Sequence, residues 1–207
     1  MHPDPVFHTH SVADNLAFAR ERGFGILAIA HDGVPMLAHV PFVLSGDGTQ
    51  ADLHLMRSNP VARAIDRPLA AHLAISGPDS YISPDWYGID GQVPTWNYVA
   101  VHLTGTIERL PDTELRRVLD QLSEHFEQKL APKPAWTADK MPVDALNRMM
   151  RMIVPLRLRI TGVDGTWKLS QNKPDSARER AAGFVDAFGG GAEERALAAL
   201  MRGVLDS

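Results

Sequence analysis

The hydrophobic pattern of the first half of the chain predicts short antiparallel strands. Apolar residues run almost without interruption over 24–30 and 34–44, and Asp32-Gly33 separates the two runs. Asp-Gly between apolar runs is a strong hairpin signal. The turn-forming segment 46–48 then leads into a third predicted strand over 51–56, and a fourth is predicted over 69–76.

The second half mixes alternating and helical patterns. Apolar residues alternate with polar ones over 97–110 and again from Leu156, which is typical of half-buried strands. A turn at 162–165 is predicted to return the chain as a further strand over 166–170, whereas the Gly- and Pro-rich segment 77–95 is interpreted as a long ordered loop. Helices are predicted from Ser11 to Gly23, after Asn59-Pro60, and over 112–130, 142–153, 176–188 and about 192–205.

These elements predict an α+β fold that is mainly antiparallel β. Six or seven short strands joined by tight turns favour a barrel, because closure removes exposed strand edges. Helices are inserted before the last pair of strands, and a glycine triplet at 189–191 precedes the last helix. We therefore predict one domain over 1–188 and a Gly-linked C-terminal helix over 189–207, which packs on the domain or on a partner subunit.

Composition and charge narrow the possible chemistry. The 207 residues include no cysteine, which excludes disulfides, thiolate catalysis and cysteine-ligated metals and fits a cytoplasmic protein. No apolar run approaches the roughly 20 residues of a membrane span. Proteins that bind duplex DNA usually have a basic surface that neutralises phosphates. The net charge of −4 therefore argues against direct nucleic-acid binding.

Two sequence features suggest a dinucleotide-binding motif and a metal site, but neither fits its context. Gly46-x-Gly48-x-x-Ala51 matches a dinucleotide fingerprint in letters, but a strand rather than a helix is predicted to follow it, so we interpret it as a hairpin turn. The nine histidines include no tight pair at metal-ligand spacing with a third ligand nearby, and we predict no metal site.

Three longer segments carry a resemblance to a known family. They are His54-Leu55-Met56-Arg57-Ser58-Asn59-Pro60, then the aromatic blocks Tyr81-Ile82-Ser83-Pro84-Asp85-Trp86-Tyr87 and Pro94-Thr95-Trp96-Asn97-Tyr98, and finally Lys168-Leu169-Ser170-Gln171-Asn172. In this order and spacing, over about residues 5–188, the chain resembles the PaiB family of FMN-binding negative transcriptional regulators. The resemblance implies an FMN-binding split β-barrel with inserted and C-terminal helices, and a homodimer with flavin sites at the subunit interface.

The resemblance also implies a set of cofactor-binding residues. FMN has a dianionic phosphate, which cationic and short hydrogen-bonding groups would bind, and a flat ring, which needs an apolar or aromatic wall. Each predicted contact has a structural alternative: a solvated strand end for the Arg57 and Lys168 groups, and core packing for the aromatic strand. The predicted phosphate contacts are Arg57, Ser58 and Asn59; the predicted ring contacts are Trp96, Asn97 and Tyr98; the predicted contacts from the partner chain are Lys168, Ser170, Gln171 and Asn172.

The histidines of strands two and three complete the predicted site. His39 and Pro41 fit the family pattern on the second strand, and His39 and His54 are the candidate proton donors near the ring. No catalytic group stands out from the sequence. We therefore predict a regulator that acts through bound FMN without direct DNA recognition, with an FMN-dependent oxidoreductase of small molecules as the alternative.

Overall fold

The computed structural model describes residues 1–188 and 191–203. Its six strands form a closed barrel in the order β1-β2-β3-β6-β5-β4, as the hydrophobic alternation predicts. The strands are β1 (Phe24–His31), β2 (Val34–Leu44), β3 (Gln50–Met56), β4 (Leu69–Ile82), β5 (Thr95–Arg109) and β6 (Ile153–Lys168). The helices are α1 (Val12–Arg22), α2 (Pro60–Ala64), α3 (Leu115–Gln128), α4 (Val143–Met150), α5 (Asp175–Phe188) and α6 (Ala192–Gly203).

The predicted β1–β2 hairpin is present. Asp32 and Gly33 have φ values of 49° and 75°, the left-handed pair that a two-residue turn between strands requires. The register runs from His31 opposite Val34 to Phe24 opposite Pro41. This left-handed backbone conformation is readily adopted by Gly and, less often, by Asp or Asn, so a larger side chain would be strained at either position.

The described residues form two compact units. The first comprises residues 1–15, 76–101, 164–188 and 191–203, and the second comprises 16–75 and 102–163. In the second unit, leucines from five strands are fully buried and form the core: Leu27, Leu53, Leu73, Leu103, Leu156 and Leu158. This burial confirms the predicted alternation, in which every second side chain of a strand faces inward.

The first unit is built on an aromatic anchor and a helix pair. Trp167 donates a 2.8 Å hydrogen bond to Asn15 and stacks on His10 at a ring distance of 4.1 Å. Helices α5 and α6 pack on each other, and both bury alanines, Ala181 and Ala182 on α5 and Ala198 on α6. Arg202 pairs with Asp186 at 3.1 Å. Residues 189, 190 and 204–207, which include part of the glycine triplet and the predicted end of the last helix, lie outside the described residues.

Two sequence predictions about strand ends are wrong. Strand β4 continues to Ile82, so the predicted loop loses its first part, 77–82, to the strand, and the connection to β5 is 83–94. The predicted turn at 162–165 is absent from the described chain, since β6 runs straight through it as one strand. Pairing in the barrel overrides the local tendency of Gly and Pro to break strands.

The glycine at 165 has a packing role instead of a turn role. A Cβ atom built on Gly165 would lie 1.9 Å from the side-chain oxygen of Asn15. The glycine therefore allows Asn15 to reach Trp167 in the first unit.

Among the described residues, no helix is both long and apolar enough to cross a membrane.

Candidate functional site

A cavity of about 210 Å³ in the first unit brings together four of the predicted cofactor-binding residues: Asn97, Lys168, Ser170 and Asn172. Strand β5 supplies Asn97, and the end of β6 with its following turn supplies the others. Side chains that the sequence analysis did not select complete the wall, and they are His2, Asp4, Phe7, Tyr87, Val93, Thr95 and Lys173.

Ser170 is the centre of a buried polar network in this cavity. Its hydroxyl oxygen accepts a 2.8 Å hydrogen bond from the Asn97 amide and lies 2.7 Å from the Tyr87 hydroxyl. Ser170 has φ of 63°, a left-handed conformation that is costly for a residue with a Cβ and that clusters at functional sites. Burial raises the pKa of Tyr87, so its hydroxyl stays protonated and can donate.

One polar atom of the network has no partner among the described residues. Asn97 is fully buried, and its amide nitrogen contacts both Ser170 and, at 3.5 Å, the Met201 sulfur. Its Oδ1 atom has no hydrogen-bond donor within the described chain. A buried acceptor left unpaired costs about 1–3 kcal/mol, so a ligand donor at this position would be favourable.

Lys168 and Lys173 outnumber Asp4, the carboxylate in the wall, so the ionised lining side chains carry a net positive charge. Burial and the nearby charge of Lys173 both lower the pKa of Lys168, whose ammonium donates to the Thr95 hydroxyl. The Lys173 ammonium lies 5.6 Å from the centre of the Tyr87 ring. Two ammonium groups that repel each other in one half-enclosed cavity are stabilised by an anion between them, and a phosphate group fits this requirement.

The aromatic strand has the predicted alternation. Asn97 is buried, whereas Trp96 is 55% exposed and Tyr98 is half-buried. Trp96 makes an edge contact with Tyr81 at a ring distance of 6.3 Å, and this exposed pair does not fill the core. Gln171 folds back on its own strand end, where it accepts from the Leu169 amide at 2.7 Å.

Arg57 lies in the second unit and already has protein partners. Its guanidinium donates to Asp112 at 3.1 Å and to the carbonyls of Arg151 and Ile153 at 3.2 Å each. Hydrogen bonds from Arg109 and Arg57 lower the pKa of Asp112, which stays ionised. A phosphate bound by Arg57 would therefore have to compete with a carboxylate.

The neighbours of Arg57 have structural roles in this unit. The Asn59 side chain accepts from the Val61 amide at 2.9 Å and caps α2. Arg63 donates to the Ser58 carbonyl at 3.1 Å. These contacts fix the turn between β3 and α2.

The remaining predicted residues of the second unit lie apart on its strands. His39 is exposed on β2 with its ring 6.4 Å from that of Phe24, the residue paired with half-buried Pro41. His54 on β3 lines a different, apolar cavity. Burial lowers the pKa of His54, so its imidazole is neutral near pH 7.

Of the lining residues that sequence reasoning missed, Tyr87 and Lys173 carry a hydroxyl and an ammonium group that suit an anionic ligand. Tyr87 closes the aromatic block 81–87 and Lys173 directly follows Asn172, so both stand beside segments that carry the family resemblance. Only the folded chain shows that their polar ends face the same cavity as Ser170.

Comparison with known proteins assigns the family. Residues 1–162 match the family described as "Putative FMN-binding domain". The chain is 30% identical over 161 residues to the protease synthase and sporulation protein PAI 2 of Bacillus subtilis, covering 77% of this chain and 76% of that protein. The chain belongs to this FMN-binding family, the PaiB family. An uncharacterized protein of Aspergillus fumigatus is 28% identical over 223 residues, with 83% of this chain and 84% of that protein covered.

Solved structures support the split-barrel fold of this PaiB-family protein. An FAD- and heme-binding protein of Mycobacterium smegmatis superposes with a TM-score of 0.56 at 20% identity, covering 87% of this chain and 78% of that one. A conserved hypothetical protein of Mycobacterium tuberculosis gives a TM-score of 0.58 at 17% identity, with coverage of 81% and 91%. The family assignment supports FMN as the cofactor, and the lysines and unpaired Asn97 oxygen provide groups that suit it.

Proposed function

We propose that this PaiB-family protein is a homodimeric transcriptional regulator that acts through bound FMN and does not itself recognise DNA. The observation that carries the flavin part is the cavity in which Lys168 and Lys173 surround the Ser170 network. The regulatory part is supported by the resemblance to the PaiB regulators and by the relative named protease synthase and sporulation protein PAI 2. The net charge of −4 supports an indirect effect on transcription.

The lysine cavity is proposed to take the phosphate end of FMN. A volume of about 210 Å³ is smaller than the roughly 300–1,000 Å³ of pockets that enclose a whole cofactor, so it would hold one end of the molecule. Lys168 and Lys173 supply charge, and the Tyr87 and Ser170 hydroxyls supply short hydrogen bonds to phosphate or ribityl oxygens. The flat ring would extend toward groups outside this cavity, with the exposed Trp96 as the proposed contact.

Removing one lysine should weaken FMN binding and leave riboflavin binding almost unchanged. Riboflavin has the same ring and ribityl chain but no phosphate. Since a charge-assisted hydrogen bond contributes about 1.5–3 kcal/mol, Lys168→Ala should weaken FMN binding roughly 10- to 100-fold. Fluorescence titration of the purified protein with each flavin measures both affinities.

A matched control and a competing variant make this test specific. Lys140 is exposed, so Lys140→Ala removes the same charge away from the cavity and should leave both affinities unchanged. Arg57→Ala tests the alternative phosphate contact. If Arg57→Ala selectively weakens FMN while Lys168→Ala affects the two flavins equally, the phosphate is not in the lysine cavity.

The proposed homodimer is supported by exposed apolar side chains on the β1–β2 hairpin. Phe24, Val34 and Leu37 are 52%, 60% and 62% exposed in the single chain. Covering these side chains with a second copy would remove them from water, which favours association. We propose that two copies associate and that residues of both contribute to each flavin site, in line with the expectation for Lys168, Ser170, Gln171 and Asn172.

The regulatory proposal predicts altered transcription without a DNA motif. Deleting the gene should change transcript levels, and the wild-type gene should restore them, whereas the Lys168→Ala variant, which binds FMN more weakly, should restore them less. In parallel, selection from a random DNA duplex pool with the FMN-loaded protein at about 150 mM salt should enrich no sequence, since electrostatic affinity for phosphates should be weak. An enriched motif would show direct recognition, and unchanged transcripts on deletion would refute the regulatory role.

The oxidoreductase alternative receives no particular support from the described residues. His54, one of the two candidate proton donors, is kept neutral by burial and faces apolar side chains. His39 is exposed on β2 and contacts Phe24. Neither position favours proton transfer to a bound flavin.

A further inference from the structure

A second cavity, of about 320 Å³, lies within the second unit and has a different chemical character. Helices α3 and α4 and the segment before α4 cover it, and its floor is formed by His54 and Met56 of β3 and Ile153 of β6. Its lining is mostly apolar, in contrast to the lysine cavity. We call it the methionine cavity, because Met56, Met141, Met149, Met150 and Met152 all line it.

These five side chains are more than half of the chain's eight methionines. Methionine is unbranched and polarizable, so it adapts to ligands of different shape and makes favourable sulfur contacts with aromatic rings. Met56, Met149 and Met152 are 48%, 52% and 49% exposed, so they form the rim through which a ligand would enter. An ordinary core would bury such side chains.

His54 adds an imidazole to this mostly apolar lining. Its Nδ1 atom is buried and has no hydrogen-bond partner among the described residues. The imidazole is neutral, because burial lowers the pKa of His54. A neutral ring nitrogen without a partner can form one hydrogen bond with a ligand, and leaving it unpaired is costly.

The charges around the methionine cavity do not suit a phosphorylated ligand. Among the described residues, the ionised side chains that line it are Arg116 and Asp120. These two pair with each other at 2.8 Å through the Arg116 Nε atom, so the cavity has no surplus positive charge. An ionised ligand would lose its hydration here without a compensating partner.

We propose that the methionine cavity binds an uncharged aromatic compound of two or three rings with one hydrogen-bonding group that faces His54. The site is separate from the one proposed for FMN. Ring size follows from the cavity volume, aromatic character from the methionine lining, and the single polar group from the unpaired His54 nitrogen. A bound compound of this class would bridge α3, α4 and the barrel strands of this unit.

N-phenyl-1-naphthylamine is a suitable probe, because it is uncharged, has three rings and one N–H group, and fluoresces when it enters an apolar site. We expect saturable binding to the wild-type protein. Leu146→Trp places extra volume in the cavity and should weaken binding at least about tenfold, as overpacking typically does. Val143 lies on the same helix and is 71% exposed, so Val143→Trp should bind the probe as the wild type does.

A second variant and a competition complete the test. His54→Phe keeps an apolar ring but removes the hydrogen bond, and should weaken the probe about fivefold. Saturating FMN should leave probe affinity unchanged. The inference is overturned if Leu146→Trp, folded as judged by its thermal melt, binds like Val143→Trp, if His54→Phe has no effect, or if FMN displaces the probe.

Discussion

Replacing Gly105 by alanine is expected to destabilise the protein by about 3 kcal/mol, at the upper end of typical overpacking costs. A Cβ atom at this position would lie 1.9 Å from the carbonyl oxygen of Arg159. That oxygen belongs to the backbone of β6, the neighbour of β5 in the barrel, so it cannot move without separating the strands. Urea denaturation of the two proteins measures the difference.

Gly162 provides the matched control for this prediction. It lies on β6, and a Cβ atom there would meet its nearest neighbour, the Thr104 side chain, at an ordinary 3.7 Å. Gly162→Ala should therefore change stability little, or raise it by up to about 1 kcal/mol by restricting the unfolded chain. Equal effects of the two substitutions would show that glycine flexibility, and not the close approach of Arg159, governs this part of the barrel.

Replacing Asp52 by asparagine should lower the free energy of unfolding by about 2–3 kcal/mol, somewhat less than for a fully buried pair because its partners reach solvent. The Asp52 carboxylate is 8% exposed and joins three elements of the second unit. Arg157 of β6 donates to it at 2.7 and 2.8 Å, and Arg117 of α3 donates at 2.9 Å through two nitrogens. The substitution leaves both guanidinium groups without their buried counter-charge.

The pH dependence of this effect has a defined sign. Burial raises the pKa of Asp52, but hydrogen bonds from Arg157 and Arg117 outweigh burial and lower it overall. The stabilisation is therefore complete above the unfolded-state pKa of about 3.9, and is lost as the pH falls through the lower folded-state value. The difference between wild type and Asp52→Asn should be full at pH 7 and shrink below about pH 4.

An exposed aspartate tests whether burial is the cause. Asp139 is 87% exposed and lies 3.7 Å from Arg116, so Asp139→Asn should change stability by less than about 0.5 kcal/mol. Urea denaturation of all three proteins at pH 7 and pH 3 gives the comparison. A loss for Asp139→Asn as large as that for Asp52→Asn would contradict the account.

The strands were predictable from sequence where turn residues and the alternation of apolar and polar residues indicate the same element as the observed burial. The Asp32-Gly33 turn and the alternation along β5 specify a hairpin and a half-buried strand without any knowledge of the partners. The path of β6 was not predictable, because Gly162 and Gly165 look like a turn when only neighbouring residues are considered. In the first unit, Gly165 is required by the approach of Asn15, which is about 150 residues away in sequence.

The candidate flavin site likewise has some features that the sequence predicts and others that appear only in the folded chain. Local patterns and motifs were enough to predict the antiparallel barrel and the family, and to select Asn97, Lys168, Ser170 and Asn172 as polar residues near strand ends. The folded chain was needed to show that Tyr87 and Lys173 share their cavity, that Asp112 pairs with Arg57, and that five methionines line one cavity with His54. Periodicity and turn signals act over a few residues, whereas a cavity is formed by side chains that meet only when distant segments fold together.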